Sequence, residues 1–165
     1  RTEVISWRGA DDWVIEGVLV YPRDYEKGKR YPLIVHPHGG PYDRAGLHFN
    51  GKYAHSNCQI FAAEGYAMLL PNFRGSSAYG EKFAMADQGD WGGKDFTDIM
   101  KGADKVIEMG IADRDKLAIM GASYGGFMSF WAVTQTDRFK LAVAGCGITT
   151  AKKRRSGMFS GFPAG

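Results

Sequence analysis

KLAIMGASYGGFMSFWAVTQ, residues 116–135, changes character at its centre. Lys116–Met120 is a short apolar run of strand length, whereas Tyr124–Gln135 has the length and composition of a helix. A single tight turn, Gly121–Ser123, joins them. Gly121-Ala122-Ser123-Tyr124-Gly125 satisfies the pattern G-x-S-x-G in the strand-to-helix setting that this pattern requires. A serine in such a turn is held in a strained backbone conformation that lifts its hydroxyl clear of the sheet. Glycines two residues to either side let strand and helix approach without side chains between them. The helix that follows places its first amides beside the same oxygen. Ser123 is therefore the candidate nucleophile, and the amide of Tyr124 is a candidate donor to an oxyanion formed beside it.

Working outward, the pattern alternates between short apolar runs and helical periodicity, which marks an α/β fold with a sheet that is largely parallel after its start. Ile5–Trp7 and Val14–Tyr21 read as an antiparallel hairpin turned at Asp11-Asp12, placed at the edge of the sheet. Leu33–His36 is the next strand and runs into the turn residues Pro37–Pro41. A helix is expected over about Lys52–Glu64, ended by Gly65, and Ala67–Leu70 follows as a buried strand stopped by Pro71. Phe96, Ile99, Met100, Ala103, Val106 and Ile107 recur at helical spacing, so a helix is expected over Gly93–Met109 with Lys94, Asp98, Lys101 and Lys105 on its polar face. Leu141–Gly145 is the last expected strand. His38-Gly39-Gly40-Pro41, directly after a buried strand, is a second place where an exposed backbone amide could join that of Tyr124 around an oxyanion.

Composition bounds the rest. At 165 residues, with 44% hydrophobic and 24% charged side chains, the chain has the size of one domain and the make-up of a folded one, not of a disordered, collagen-like or coiled-coil chain. No apolar stretch approaches the ~20 residues of a membrane span, and the opening RTEVISWRG lacks a signal-peptide core. The net charge of +3 owes everything to Lys152, Lys153, Arg154 and Arg155, so the body offers no basic surface suited to nucleic acid. Cys58 and Cys146 make no disulfide framework, which fits a cytoplasmic setting. Glycine, at 23 residues, is roughly double the usual 7% share and clusters at the turns just described.

These motifs together resemble the prolyl oligopeptidase family, particularly its acylaminoacyl-peptidase and dipeptidyl-peptidase members. Besides HGGP (38–41) and GASYGGF (121–127), the resemblance includes YPLIV (31–35), NFRGS (72–76) with Tyr79-Gly80, and GDWGGKD (89–95). It covers residues 1–150 and implies the α/β-hydrolase fold: a mostly parallel sheet flanked by helices. It further implies a serine hydrolase acting on peptide or ester acyl groups, with Ser123 as nucleophile and the amides of Gly40 and Tyr124 as the oxyanion hole. Arg74 and Trp91 would be scaffold residues near that site, and Phe73 stands where members often have proline. The implied substrates are short peptides, acylated amino acids or small esters, with no cofactor and no metal.

The same chemistry needs a histidine to take the serine proton and an acid to orient it, placed after the nucleophile in the order Ser, Asp or Glu, His. After Ser123 the only acid is Asp137 and there is no histidine, the four being His36, His38, His48 and His55. A helix of about twelve residues spans roughly 18 Å, so Asp137 at its far end is poorly placed. His38, in the oxyanion loop, is the nearest candidate for a substitute base. His36 and His38 should point to one face of their strand, yet no Cys or carboxylate at matching spacing completes a metal site. His48 and His55 read as surface residues. Residues 151–165, basic and glycine-rich, leave the family pattern, so the chain is expected to be a hydrolase domain truncated after the strand that follows the nucleophile helix. The alternative function is then a catalytically silent fragment that self-associates, a homo-oligomer formed through the uncovered sheet edge.

Overall fold

The computed structural model describes residues 1–47 and 57–149. The chain opens with β1 (Thr2–Arg8) and β2 (Val14–Val20), paired antiparallel with Thr2 opposite Val20 and Arg8 opposite Val14. A 3-10 turn at Ala10–Asp12 joins them, and Asp11 and Asp12 take positive φ there (51° and 60°), a conformation that short polar side chains tolerate better than most. There follow β3 (Tyr31–Val35), α1 (Asn57–Ala63), β4 (Ala67–Asn72), α2 (Glu81–Ala84), α3 (Lys94–Glu108), β5 (Ala112–Ala122), α4 (Tyr124–Gln135) and β6 (Phe139–Gly145). The sheet order is β1-β2-β4-β3-β5-β6, antiparallel from β1 to β4 and parallel across β4-β3-β5-β6.

That order positions the site. From β3 the chain winds first to β4 on one side and then to β5 on the other, so β3 and β5 are neighbours at the point where the winding reverses. In open parallel sheets the crevice beyond the carboxyl ends of two such strands is where ligands bind. The two loops that leave those ends are Pro37–Pro41 and the turn at Ser123.

Alternation along the strands makes two apolar layers. Leu19, Leu33, Val35, Leu69, Leu117 and Ile119 face the side covered by α3 and α4 through Ile99, Val106 and Met128. Val18, Val20, Ile34, Met68 and Leu70 face the other side, against Cys58 and Ala62 of α1. Among the described residues, no helix is long and apolar enough to cross a membrane.

Most expected elements are present, with four differences. Pro71 does not stop its strand: β4 runs to Asn72, because the ladder with β3 ends at Leu69 and Pro71 lies opposite Gly17 of β2 with no β3 partner beside it. β5 begins at Ala112, four residues before the expected strand, and α2 has no counterpart in the periodicity. Asp98 is the fourth. It belongs to the buried face of α3 and not to the polar one, where Lys94 and Lys101 are indeed exposed. The start of the helix expected from Lys52, the histidines His48 and His55, and the tail 151–165 lie outside the described residues.

Candidate active site

β5 ends at Ala122 and α4 begins at Tyr124, leaving Ser123 alone in the turn with φ 57° and ψ −118°. That backbone costs a non-glycine residue of order 1–3 kcal/mol, so it persists only because its surroundings impose it. Two hydrogen bonds do so. Ser123 N–H donates to Gly145 O of β6 (2.9 Å), and Ser123 O accepts from Phe127 N–H (2.9 Å). The serine side chain makes no capping bond to α4 and is exposed.

The glycines of the pattern are there for backbone contact. A Cβ on Gly121 would lie 2.6 Å from Gly125 C and O, and a Cβ on Gly125 would be driven into the Pro37 carbonyl oxygen. The loop after β3 therefore rests directly on the turn. At Gly39 a Cβ would stand 3.5 Å from Ser123 Cβ, which measures how near the two candidate oxyanion loops come. Gly40, at φ 117°, is exposed on the same loop, while Tyr124 is buried with its amide at the start of α4. The structure thus brings Ser123 against Gly39, with Gly40 next along that loop and Tyr124 next along the turn.

His38 is held differently from a free base. Its ring stacks on Phe73 (centroids 4.6 Å, 16°), Nδ1 lies 2.8 Å from Gly39 O, and Nε2 lies 2.8 Å from Ser76 Oγ. Gly39 O only accepts, and the Ser76 hydroxyl gives its hydrogen to Phe73 O (2.6 Å), so Nε2 meets an oxygen whose own hydrogen is already engaged. To take the Ser123 proton, Nε2 would have to leave Ser76. His36 donates from Nδ1 to Met120 O (2.7 Å). β3 has ended at Val35, so the alternation on which a shared face rested does not extend to His36 and His38, and the rings go to different neighbours. Among the described residues no three His, Cys, Asp or Glu side chains converge as metal ligands. Asp137 is exposed past the end of α4, where it lines a 580 Å³ cleft with Asp104, Arg114 and Arg138, at the opposite end of the parallel strands from Ser123.

Behind the crevice lie buried charges that the spacing of the sequence does not single out. Arg74, 2% exposed, donates from Nε to Asp98 Oδ2 (2.7 Å) and from Nη2 to Asp98 Oδ1 (3.0 Å) and Ala10 O (2.7 Å). Burial opposes the Arg74 charge, and its bonds to Asp98 and Asp11 outweigh that cost. Asp95, fully buried in the first turn of α3, accepts from the Tyr124 hydroxyl, from Gly92 N–H (3.2 Å) and from Phe96 N–H (2.7 Å). Burial raises its carboxyl above the ordinary range, with the Tyr124 bond pulling the other way. Asp87 is also buried; burial first and Asp95 second push its carboxyl up to about 6, offset in part by its own backbone amide and by the Trp91 indole. Trp91 meets the Tyr124 ring edge-on at 4.9 Å, the scaffold position expected of it. The signal for Asp95 was its place at the end of Gly89-Asp90-Trp91-Gly92-Gly93-Lys94-Asp95. For Asp98 the helical spacing pointed the wrong way.

Comparison with known proteins agrees with this geometry. The model of the prolyl oligopeptidase family matches residues 52–158. The chain is 42% identical over 142 residues to the uncharacterized peptidase YuxL of Bacillus subtilis, covering 86% of this chain and 21% of that protein. It is 37% identical over 146 residues to dipeptidyl-peptidase 5 of Aspergillus oryzae, covering 86% of this chain and 20% of the relative. Pyrococcus horikoshii acylaminoacyl peptidase superposes with a TM-score of 0.80 at 33% identity, over 90% of this chain and 23% of that one. The chain therefore spans about a fifth of the length of the relatives it matches. Its sheet and flanking helices are those of the α/β-hydrolase domain in that peptidase. On the family match and these identities, the chain belongs to the prolyl oligopeptidase family.

Proposed function

We propose that this chain carries the nucleophile and oxyanion elements of a serine hydrolase that cleaves acyl bonds of short peptides, acylated amino acids or small esters. The observation that carries this reading is the contact of two loops at the switch point of the sheet, with the Ser123 turn packed on Pro37–Gly40 through Gly125 and Gly39. Ser123 Oγ attacks the acyl carbon, its proton passes to a base, and the negative oxygen that forms is held by the amides of Gly40 and Tyr124. The base then returns the proton to the departing amine or alcohol, leaving an acyl-enzyme that water releases. With Nε2 of His38 bound to Ser76, the base comes in this reading from a neighbouring copy of the chain. The peptidase names of the relatives support peptide acyl groups as substrates.

Labelling of the 165-residue chain with a fluorophosphonate, read by intact mass, tests this. One adduct on Ser123 is the expected result. A folded chain that takes up no probe would overturn it and make the chain a catalytically silent hydrolase fragment.

A second reading rests on β6. Among the described residues it is an edge strand, on which Leu141 and Val143 are 61% and 50% exposed, and such an edge flanked by apolar side chains invites pairing with another chain. Purified alone, the chain is expected to form dimers or larger species by joining β6 edges, a contact that Val143→Lys weakens. Light scattering during size-exclusion chromatography checks this, and a monomer at all concentrations rules the edge contact out.

A further inference from the structure

α4 starts without a side-chain capping bond, so at Ser123 its first turn is held by backbone alone, Ser123 O accepting from Phe127 N–H and Ser123 N–H donating to Gly145 O. A further hold on that turn comes from the Tyr124 side chain, which points into the core and is 4% exposed. At its far end the hydroxyl donates to Asp95 Oδ2. Asp95 is in turn fixed by Gly92 N–H and Phe96 N–H, and the same segment is clamped to α4 a second time by Trp131 Nε1, which donates to Gly92 O (2.6 Å). A fully buried carboxylate is costly, and an apolar side chain would fill the place more cheaply.

Along its face the Tyr124 ring stacks on Phe73 (5.8 Å, 21°), and Phe73 stacks on His38 (4.6 Å, 16°), whose Nε2 is bound to Ser76. One row, Asp95–Tyr124–Phe73–His38–Ser76, therefore runs beneath the crevice from the elbow to the Gly40 loop. Its two ends are hydrogen bonds and its middle is ring stacking. Such a row fixes a distance and not merely a volume.

We propose that Asp95 is a positioning residue for the oxyanion site: by holding the Tyr124 hydroxyl it sets the direction of the Tyr124 amide and, through the stacked rings, its separation from the Gly40 loop. This rests on the reading of Ser123, Tyr124 and Gly40 given above. Phe73 and His38 then act as spacers, which gives His38 a role other than that of a base.

The test compares the full chain with Tyr124→Phe and Asp95→Asn by amide hydrogen exchange and mass spectrometry. Tyr124→Phe is the milder variant, since it deletes one hydroxyl and keeps the ring. Exchange in the peptide 121–128 should rise about tenfold or more in both variants, with peptides from β1 and β2 unchanged. No rise at the elbow, or an equal rise throughout the sheet, overturns the proposal and makes Asp95 a core residue only. Where the parent chain takes the fluorophosphonate, both variants should lose limiting labelling rate and keep the concentration for half-maximal rate. An unchanged limiting rate beside a loosened elbow also overturns the proposal. A parent chain that takes no probe counts against the hydrolase reading of Ser123, and the exchange maps then decide the role of Asp95 by themselves.

Discussion

Ser123→Ala is expected to abolish fluorophosphonate uptake completely while leaving the unfolding free energy within about 0.5 kcal/mol of the parent. The loss is complete because the probe bonds to the hydroxyl oxygen. The fold is spared because that hydroxyl makes no capping bond, lies exposed, and leaves the two backbone bonds of residue 123 untouched. Alanine also carries a Cβ, so it bears the same strain at φ 57°. Ser123→Gly separates the two effects: it equally removes labelling, yet it relieves the strain and should stabilise the chain by about 1 kcal/mol. Intact mass and urea unfolding check both variants. Labelling that survives in either would assign the nucleophile to another residue.

The largest expected loss of stability follows from Asp98→Ala. Asp98 is fully buried and accepts from Arg74 Nε, Nη2 and backbone N–H, and from Ala10 N–H (2.8 Å). Removing it leaves a buried guanidinium with Ala10 O, the half-exposed Asp11 carboxylate at 3.3 Å and the Trp13 ring at 4.9 Å. Breaking one partner out of a buried pair costs about 3–5 kcal/mol, a large part of the ~5–15 kcal/mol of an ordinary domain. This pair joins the β1–β2 turn, α3 and the loop after β4. The double variant Arg74→Met with Asp98→Leu should be less destabilised than Asp98→Ala alone, because no charge is then left buried without its partner. Urea unfolding of the three chains decides it. A loss under about 1 kcal/mol in Asp98→Ala would show that water reaches Arg74 and takes the place of the carboxylate.

Much of this molecule is legible one segment at a time. The 3.6-residue period of Phe96 to Ile107 marks α3, the apolar run Ala67–Leu70 marks β4, and Gly121–Gly125 marks the elbow, since each depends on interactions within a few residues. Local order also announces Tyr124, because the first amide of a helix follows directly from where the helix begins.

What the sequence by itself determined is therefore the type and place of the elements other than α2, and the serine at the turn between β5 and α4, because backbone preferences and apolar periodicity act over short distances along the chain. Only the tertiary structure decided what surrounds that serine. Asp98 sits at a spacing that reads as solvent-facing, and it is buried because Arg74, 24 residues earlier, needs a partner there. Asp95 meets Tyr124 across 29 residues, and His38 meets Ser76 across 38. These pairings depend on which strands become neighbours, and burial then makes each unpaired charge or hydroxyl so costly that the fold must bring a partner to it.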